Sequence, residues 1–194
     1  MNRLVFVSAL LLLACANLAN AQPQPYAFDP SHSRLFFDWV HQGYSVMLGR
    51  FRNFDGEFLY DPADPTSSRL DITIDASSVD VFDGELNPRL RGEEFFDATN
   101  YPEINFISRR VERIDADHFR VHGDLTMLGV TRPLAFDVTQ NKVAVNRQGL
   151  MVAGFSGRGQ LKRTDFGMDF LAQVAGGDIA FRVEVEASPI SVTD

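Results

Sequence analysis

From Ile179 to Ser188 the chain alternates without a break. Ile179, Phe181, Val183, Val185 and Ala187 fall on one side, and Ala180, Arg182, Glu184, Glu186 and Ser188 on the other. A period of two is the mark of a strand with one dry face and one wet face. The pattern recurs at Leu35, Phe37 and Trp39, at Phe54, Gly56, Phe58 and Tyr60, and at Leu70, Ile72 and Ile74. It returns at Phe119, Val121, Gly123 and Leu125, and at Leu134, Phe136 and Val138. Ile104 to Ile114 and Leu150 to Lys162 read as strands with weaker alternation. Turn formers such as Asp61-Pro62, Asp115-Ala116-Asp117 and Arg147-Gln148-Gly149 separate them. About eight strands at this spacing predict an all-β antiparallel barrel or sandwich.

One stretch breaks the period. Leu86 and Leu90 are four apart, which predicts a short helix over Glu85–Glu94 with Pro88 near its start. It should cover an end or edge of the sheet. The adjacent Phe95 and Phe96 could not both face one way on a regular element, so one is expected to cover the interior. With Val46-Met47-Leu48, read as a loop, this segment is expected to form a lid.

The first 21 residues have a different character. Asn2 and Arg3 precede an uncharged apolar run from Leu4 to Ala14, and Ala19-Asn20-Ala21 is a small-x-small site. This is the pattern of a secretory signal peptide over residues 1–21, cut after Ala21. The run is shorter than the roughly 20 residues a membrane-spanning helix needs. Leu12-Leu13-Ala14-Cys15 also resembles a lipobox, so a lipoprotein anchored through Cys15 is the alternative to a soluble periplasmic protein. Residues 22–25 read as a short linker and 26–194 as one domain. Cleavage leaves 173 residues (194 − 21), no cysteine and hence no disulfide. It also removes Arg3 and takes the net charge of −8 to −9. Without a basic run, neither nucleic acid nor an anionic membrane surface is an expected partner.

Sites of chemistry are sparse. The mature chain has no thiol nucleophile and no Gly-x-Ser-x-Gly, and Gly157-Arg158-Gly159 lacks the third glycine of a phosphate cradle. His118 and His122 are four apart in a strand, about 13 Å, too far to share an ion. His32 and His41 have no carboxylates at ligand spacing in the sequence, so no metal site is expected. An enzyme would have to use His41 with Asp38 or Asp165. The apolar inventory is rich by comparison, with 17 phenylalanines against 4 tyrosines. An eight-stranded barrel is either just filled by such side chains or able to hold one small ligand, and composition leaves both open.

Four segments in order carry a resemblance. "FDPSHSRLFFDWVHQG" with "LGRFRNFDGEF", then "LRGEEFFDATNYPEINFIS", "HGDLTMLGVTRPLAFDV" and "LKRTDFGMDF" resemble the YceI-like family over Tyr26 to Ala187. The resemblance implies a lipocalin-like barrel with one or two short helices that binds a polyisoprenoid or similar long-chain amphiphile, an isoprenoid quinone included. It implies no catalytic residues and no cofactor besides such a lipid. A non-enzymatic periplasmic carrier is therefore the expected function. The alternatives are an interaction or stress module with a filled barrel, or an enzyme acting on a lipid. A homodimer is compatible with the sequence.

The expected apolar tunnel consists of Phe37, Trp39, Phe58, Ile72, Leu86, Leu90, Phe95, Phe96, Phe106, Leu125, Met127, Phe136, Phe155 and Phe181. His41, which continues the phase of Trp39, is a candidate head-group contact. Arg50 and Arg163, beside glycine or at a turn, are the other two.

Overall fold

The computed structural model describes residues 22–190. The expected signal peptide over residues 1–21, with its expected cleavage after Ala21 and the alternative anchor at Cys15, lies outside the described residues. The alternating segments form eleven strands: β1 (Gln24–Phe28), β2 (Arg34–His41), β3 (Ser45–Phe51), β4 (Phe54–Tyr60), β5 (Arg69–Asp75), β6 (Val79–Asp80), β7 (Glu103–Arg113), β8 (His118–Met127), β9 (Val130–Val145), β10 (Met151–Lys162) and β11 (Asp178–Pro189). Two short helices, α1 (Leu86–Leu90) and α2 (Ala172–Ala175), complete the fold.

Eleven strands make an eight-staved barrel because three staves are interrupted. β1 and β2 form one stave, β3 and β4 the next, and β5 and β6 the third. Every pairing is antiparallel, and the ring runs β1-β4-β5-β7-β8-β9-β10-β11 and returns to β1. Closure leaves no open edge along this ring. β11 spans both halves of the first stave. Its C-terminal part pairs with β1 (Tyr26↔Pro189) and its middle with β2 (Phe181↔Phe37).

Strand pairing does not complete the wall everywhere. β6 pairs with β3 but not with β7, so the sheet has a notch at one end. The chain from Val81 to Ala98 fills it. Leu90 is buried there, and Asn87 Oδ1 accepts a hydrogen bond from the Val81 amide at 2.8 Å. The helix in this segment is shorter than expected, Leu86–Leu90 rather than Glu85–Glu94. After Arg91 the chain breaks into turns, closed by the Gly92 amide on the Arg89 carbonyl and by Asp97 at φ +42°. Val46-Met47-Leu48, expected as a loop, lies within β3.

Buried apolar residues fall in two groups. The larger joins Phe51, Val79, Leu90, Phe106, Leu125, Met127, Phe166 and Met168 among others. The smaller, at the far end, joins Tyr26, Phe58, Tyr60, Ala153 and Ala187. Tyr60 there donates to Gln140 Oε1 at 2.7 Å, and burial pushes its hydroxyl up to about 12, so it stays a donor.

Candidate functional site: an apolar cavity along the barrel axis

The two groups of buried residues are walls, not a plug. Between them runs a cavity of about 610 Å³, within the roughly 300–1,000 Å³ usual for small-molecule sites. All fourteen residues expected in a tunnel line it. They do so because a sheet with one dry face sends each strand's apolar phase to the same side. At the notched end lie Trp39, Leu86, Leu90, Phe95, Phe96 and Met127. Phe37, Ile72, Phe106, Leu125, Phe136 and Phe181 form the middle, and Phe58 and Phe155 the far end. Met47 lines the cavity also.

One end is open and the other shut. At the notched end the lining residues His41, Asp83, Arg89 and Leu171 are exposed. At the other end Tyr60, Pro65, Ser68 and Phe119 are buried, and the 3-10 turn Pro65–Ser67 sits beside them. The mouth is therefore at the α1 end.

Two segments meet across that mouth. Phe95 packs its ring edge on Phe170 at 5.6 Å, with the planes at 76°. The Arg89 guanidinium lies over the Phe170 ring at 5.0 Å and that of Arg163 over Phe95 at 5.8 Å. Such cation–ring contacts are worth about 0.5–2 kcal/mol each. Phe96 turns inward onto Phe51, at 5.3 Å. Phe95 and Phe96 thus both reach the cavity although they are adjacent, because they stand on a turn and not on a regular element. The neighbour across the mouth is the loop 163–177, not β3.

Of the three head-group candidates only His41 stays free to serve. It lines the mouth at the end of β2, with Gln42 Nε2 3.4 Å from its Nε2. Asp38, its suggested acid–base partner, lies three residues back and so on the opposite face of the strand. Arg50 is corrected: it does not line the cavity. It falls between Gly49 and Phe51, out of the inward phase, and pairs with Asp80 at 2.9 Å. Arg163 lines the cavity but is buried at 5 % exposure. Its three nitrogens donate to the carbonyls of Gly176 (2.9 Å), Met168 (3.0 Å) and Phe170 (2.8 Å). It clamps the loop rather than receiving a ligand, and desolvation lowers its pKa, though a guanidinium stays charged.

The histidines also need one correction. His118 and His122 pair with different carboxylates, Asp115 and Glu112. His32, however, does have carboxylates nearby. Asp29 Oδ2 is 2.7 Å and Glu186 Oε2 3.9 Å from its Nδ1, outside the barrel. The hydrogen bond to Asp29 raises the His32 pKa and holds Asp29 well below the usual carboxylate range. The group is exposed and its members satisfy one another. Ring closure between β1 and β11 brings Glu186 there, which sequence spacing could not reveal.

The sequence missed a set of glycines on the inner wall. The Phe37 ring lies across Gly49, its direct partner in β3, and the Phe181 ring across Gly159, its direct partner in β10. The Phe106 ring lies diagonally across Gly123, two residues from its direct partner Leu125 in β8. A Cβ at Gly159 would stand 2.7 Å from Phe181 Cε1, and one at Gly49 2.7 Å from Phe37 Cε2.

Residues 26–188 match the YceI-like domain. The chain belongs to the YceI-like family. This YceI-like chain is 31% identical over 183 residues to a UPF0312 protein of Pectobacterium atrosepticum, covering 94% of this chain and 95% of that one. It is 32% identical to protein YceI of Escherichia coli O157:H7, over 81% of this chain and 82% of that one. Among solved structures, the Campylobacter jejuni YceI protein superposes with a TM-score of 0.71 at 30% identity, covering 78% and 90% of the two chains. Burkholderia cenocepacia BcnA gives 0.74 at 22% identity, over 82% and 98%. A polyisoprenoid-binding domain from Saccharophagus degradans, implicated in plant cell wall breakdown, gives 0.65 at 15% identity, over 86% and 99%. The last two, at such identities, share the fold. The YceI-like barrel of this chain is the closed eight-staved antiparallel ring described above.

Proposed function

We propose that this protein binds one long-chain apolar amphiphile, a polyisoprenoid or isoprenoid quinone, along the barrel axis and carries it through the periplasm. The observation that supports this most is the axial cavity, open at one end and walled almost wholly by apolar side chains. A barrel filled by its own side chains, the alternative, does not accord with that space. A dry wall of this kind stabilises a buried tail by about 0.8 kcal/mol per CH₂, less the cost of ordering the chain. The mouth carries His41, Asp83 and Arg89, so a polar head has partners there while the tail lies inside. The polyisoprenoid-binding relative of the same fold supports the ligand class. The signal-peptide pattern of residues 1–21 supports export, and a carrier in water is what an insoluble lipid requires. The reading is non-catalytic, and the lipid should leave the protein chemically as it entered.

Extraction of the purified protein with organic solvent, followed by mass spectrometry, tests the reading. One isoprenoid per chain, returned chemically unchanged after incubation, is the expected result. An empty extract together with no uptake of added geranylgeraniol or ubiquinone would reject it.

A further inference from the structure

A barrel this rich in phenylalanine should choke on its own rings, and the glycines opposite them explain why it does not. At mid-height Phe37, Phe106 and Phe181 all point inward. Each folds flat against the wall, across Gly49, Gly123 and Gly159 respectively, in the space a side chain would otherwise take. Phe136 joins them, edge-on to Phe106 at 5.4 Å and to Phe181 at 5.6 Å. Its Cβ lies 2.8 Å from where a Cβ on Gly159 would be. Gly49 and Gly159 have ordinary φ values, whereas Gly43, Gly129 and Gly176 have positive ones, and the nearest atoms to a Cβ at either are side-chain atoms. At Gly123 a Cβ would also run into the Ile107 carbonyl, so the main chain itself demands glycine there. At Gly49 and Gly159 what needs the missing side chain is the ring.

We propose that Gly49 and Gly159 set the bore of the tunnel, by giving the Phe37 and Phe181 rings a seat in the wall, and so decide whether a long chain can pass the middle of the barrel. Resting on the lipid-binding reading above, the proposal assigns the selection for ligand length and girth to residues that touch no ligand. A methyl group at either of them unseats its ring. Close packing in the wall leaves the lumen as the direction of least resistance. The ring then lies across the axis and divides the cavity into a mouth chamber and a far chamber. A short isoprenoid still fits the mouth chamber, and a long one does not.

The experiment compares wild type, Gly159→Ala and the double variant Gly159→Ala/Phe181→Ala, using geraniol and geranylgeraniol as short and long probes. Binding is followed by native mass spectrometry and by Trp39 fluorescence. Gly159→Ala should bind geranylgeraniol at least about tenfold more weakly than wild type, a loss of about 1.4 kcal/mol. It should bind geraniol within about threefold, and removal of the Phe181 ring should restore the long probe. If Gly159→Ala does not fold, Gly49→Ala with Gly49→Ala/Phe37→Ala makes the same comparison on another stave. A crystal structure of the glycine variant gives a readout independent of any ligand. A ring swung into the lumen supports the proposal, and a ring still seated on a displaced wall overturns it. A folded variant that binds the long probe as wild type does also overturns it. Failure of the wild type to bind either probe would count against the lipid-binding reading alone, and the position of the ring would still judge the bore.

Discussion

Asp80 Oδ2 lies 2.9 Å from Arg50 Nη2, joining the last residues of β6 to β3 at the edge where the barrel wall is incomplete. The same oxygen takes Arg52, while Oδ1 accepts from the Phe82 amide and from Asn87 Nδ2, both at 3.1 Å. One buried carboxylate therefore fastens the notch, the adjoining stave and the start of α1. Burial opposes its charge, but the hydrogen bonds from Phe82, Arg52, Arg50 and Asn87 outweigh burial and hold the carboxyl well below the usual range. Asp80→Ala should cost about 1–3 kcal/mol, the size expected when the buried acceptor of the Phe82 amide and Asn87 Nδ2 is removed and its donors are left unpaired. The sign of the pH dependence follows from a pKa lower in the folded chain than the unfolded value of about 3.9. The contribution is complete above that value and is lost as pH falls below it toward the folded one. Urea unfolding at pH 7 and pH 3 checks both parts. A gap between wild type and variant that stays constant on acidification would be the wrong outcome.

Arg163 offers a second test at the mouth. Lysine keeps the charge but cannot reach three carbonyls in one plane as a guanidinium does. Arg163→Lys should lose about 1–3 kcal/mol, and amide exchange over residues 167–177 should speed up while β7 and β8 stay protected. Unchanged exchange in that loop would mean that the clamp does not hold it.

The single tryptophan, Trp39, lines the cavity and stacks on Phe37 at 5.9 Å. Titration with geranylgeraniol should change its emission in a saturable way at one ligand per chain. Trp39→Phe should erase the signal while mass still detects the bound ligand. An emission that ignores a ligand shown by mass to be bound would place that ligand elsewhere.

Phe96 distinguishes a lid from a plug. Its half-buried ring meets Phe51 edge-on, across the notch that no strand closes. Phe96→Ala should speed lipid uptake, with a stability loss well short of the roughly 3–5 kcal/mol for a fully buried phenylalanine. A loss of that full size with unchanged uptake would make the segment a fixed part of the core.

The tunnel was legible in the sequence because alternation survives in every stave. Phe37, Phe106, Phe136 and Phe181 could be assigned inward before any strand was paired. Arg50 stands outside the tunnel, as the strand phase requires, since Gly49 and Phe51 on either side share the inward face. Arg163 stands in a recognisable turn segment, but its clamping role is hidden in the sequence: its partners are main-chain carbonyls, which every residue carries. The Leu86–Leu90 spacing marks the helix but not its end, which is set by turns closed by Gly92 and Asp97. The glycine seats were hidden for a related reason. A glycine in a strand reads as a weakness until the ring from the neighbouring strand is seen lying on it.

The position of β11 has a consequence for how the molecule comes into being. The last strand of the chain closes the ring onto the first two, joining Ser33 to Glu186 across 153 positions. Until those final residues are available, β2 through β10 can pair only as an open, curled sheet whose phenylalanine-lined face has no opposite wall. Contacts of such sequence separation are made late and slowly, on a scale of about milliseconds to seconds. Birth of the cavity and completion of the fold are then a single event, and a chain cut short before Asp178 has no interior in which to hold anything.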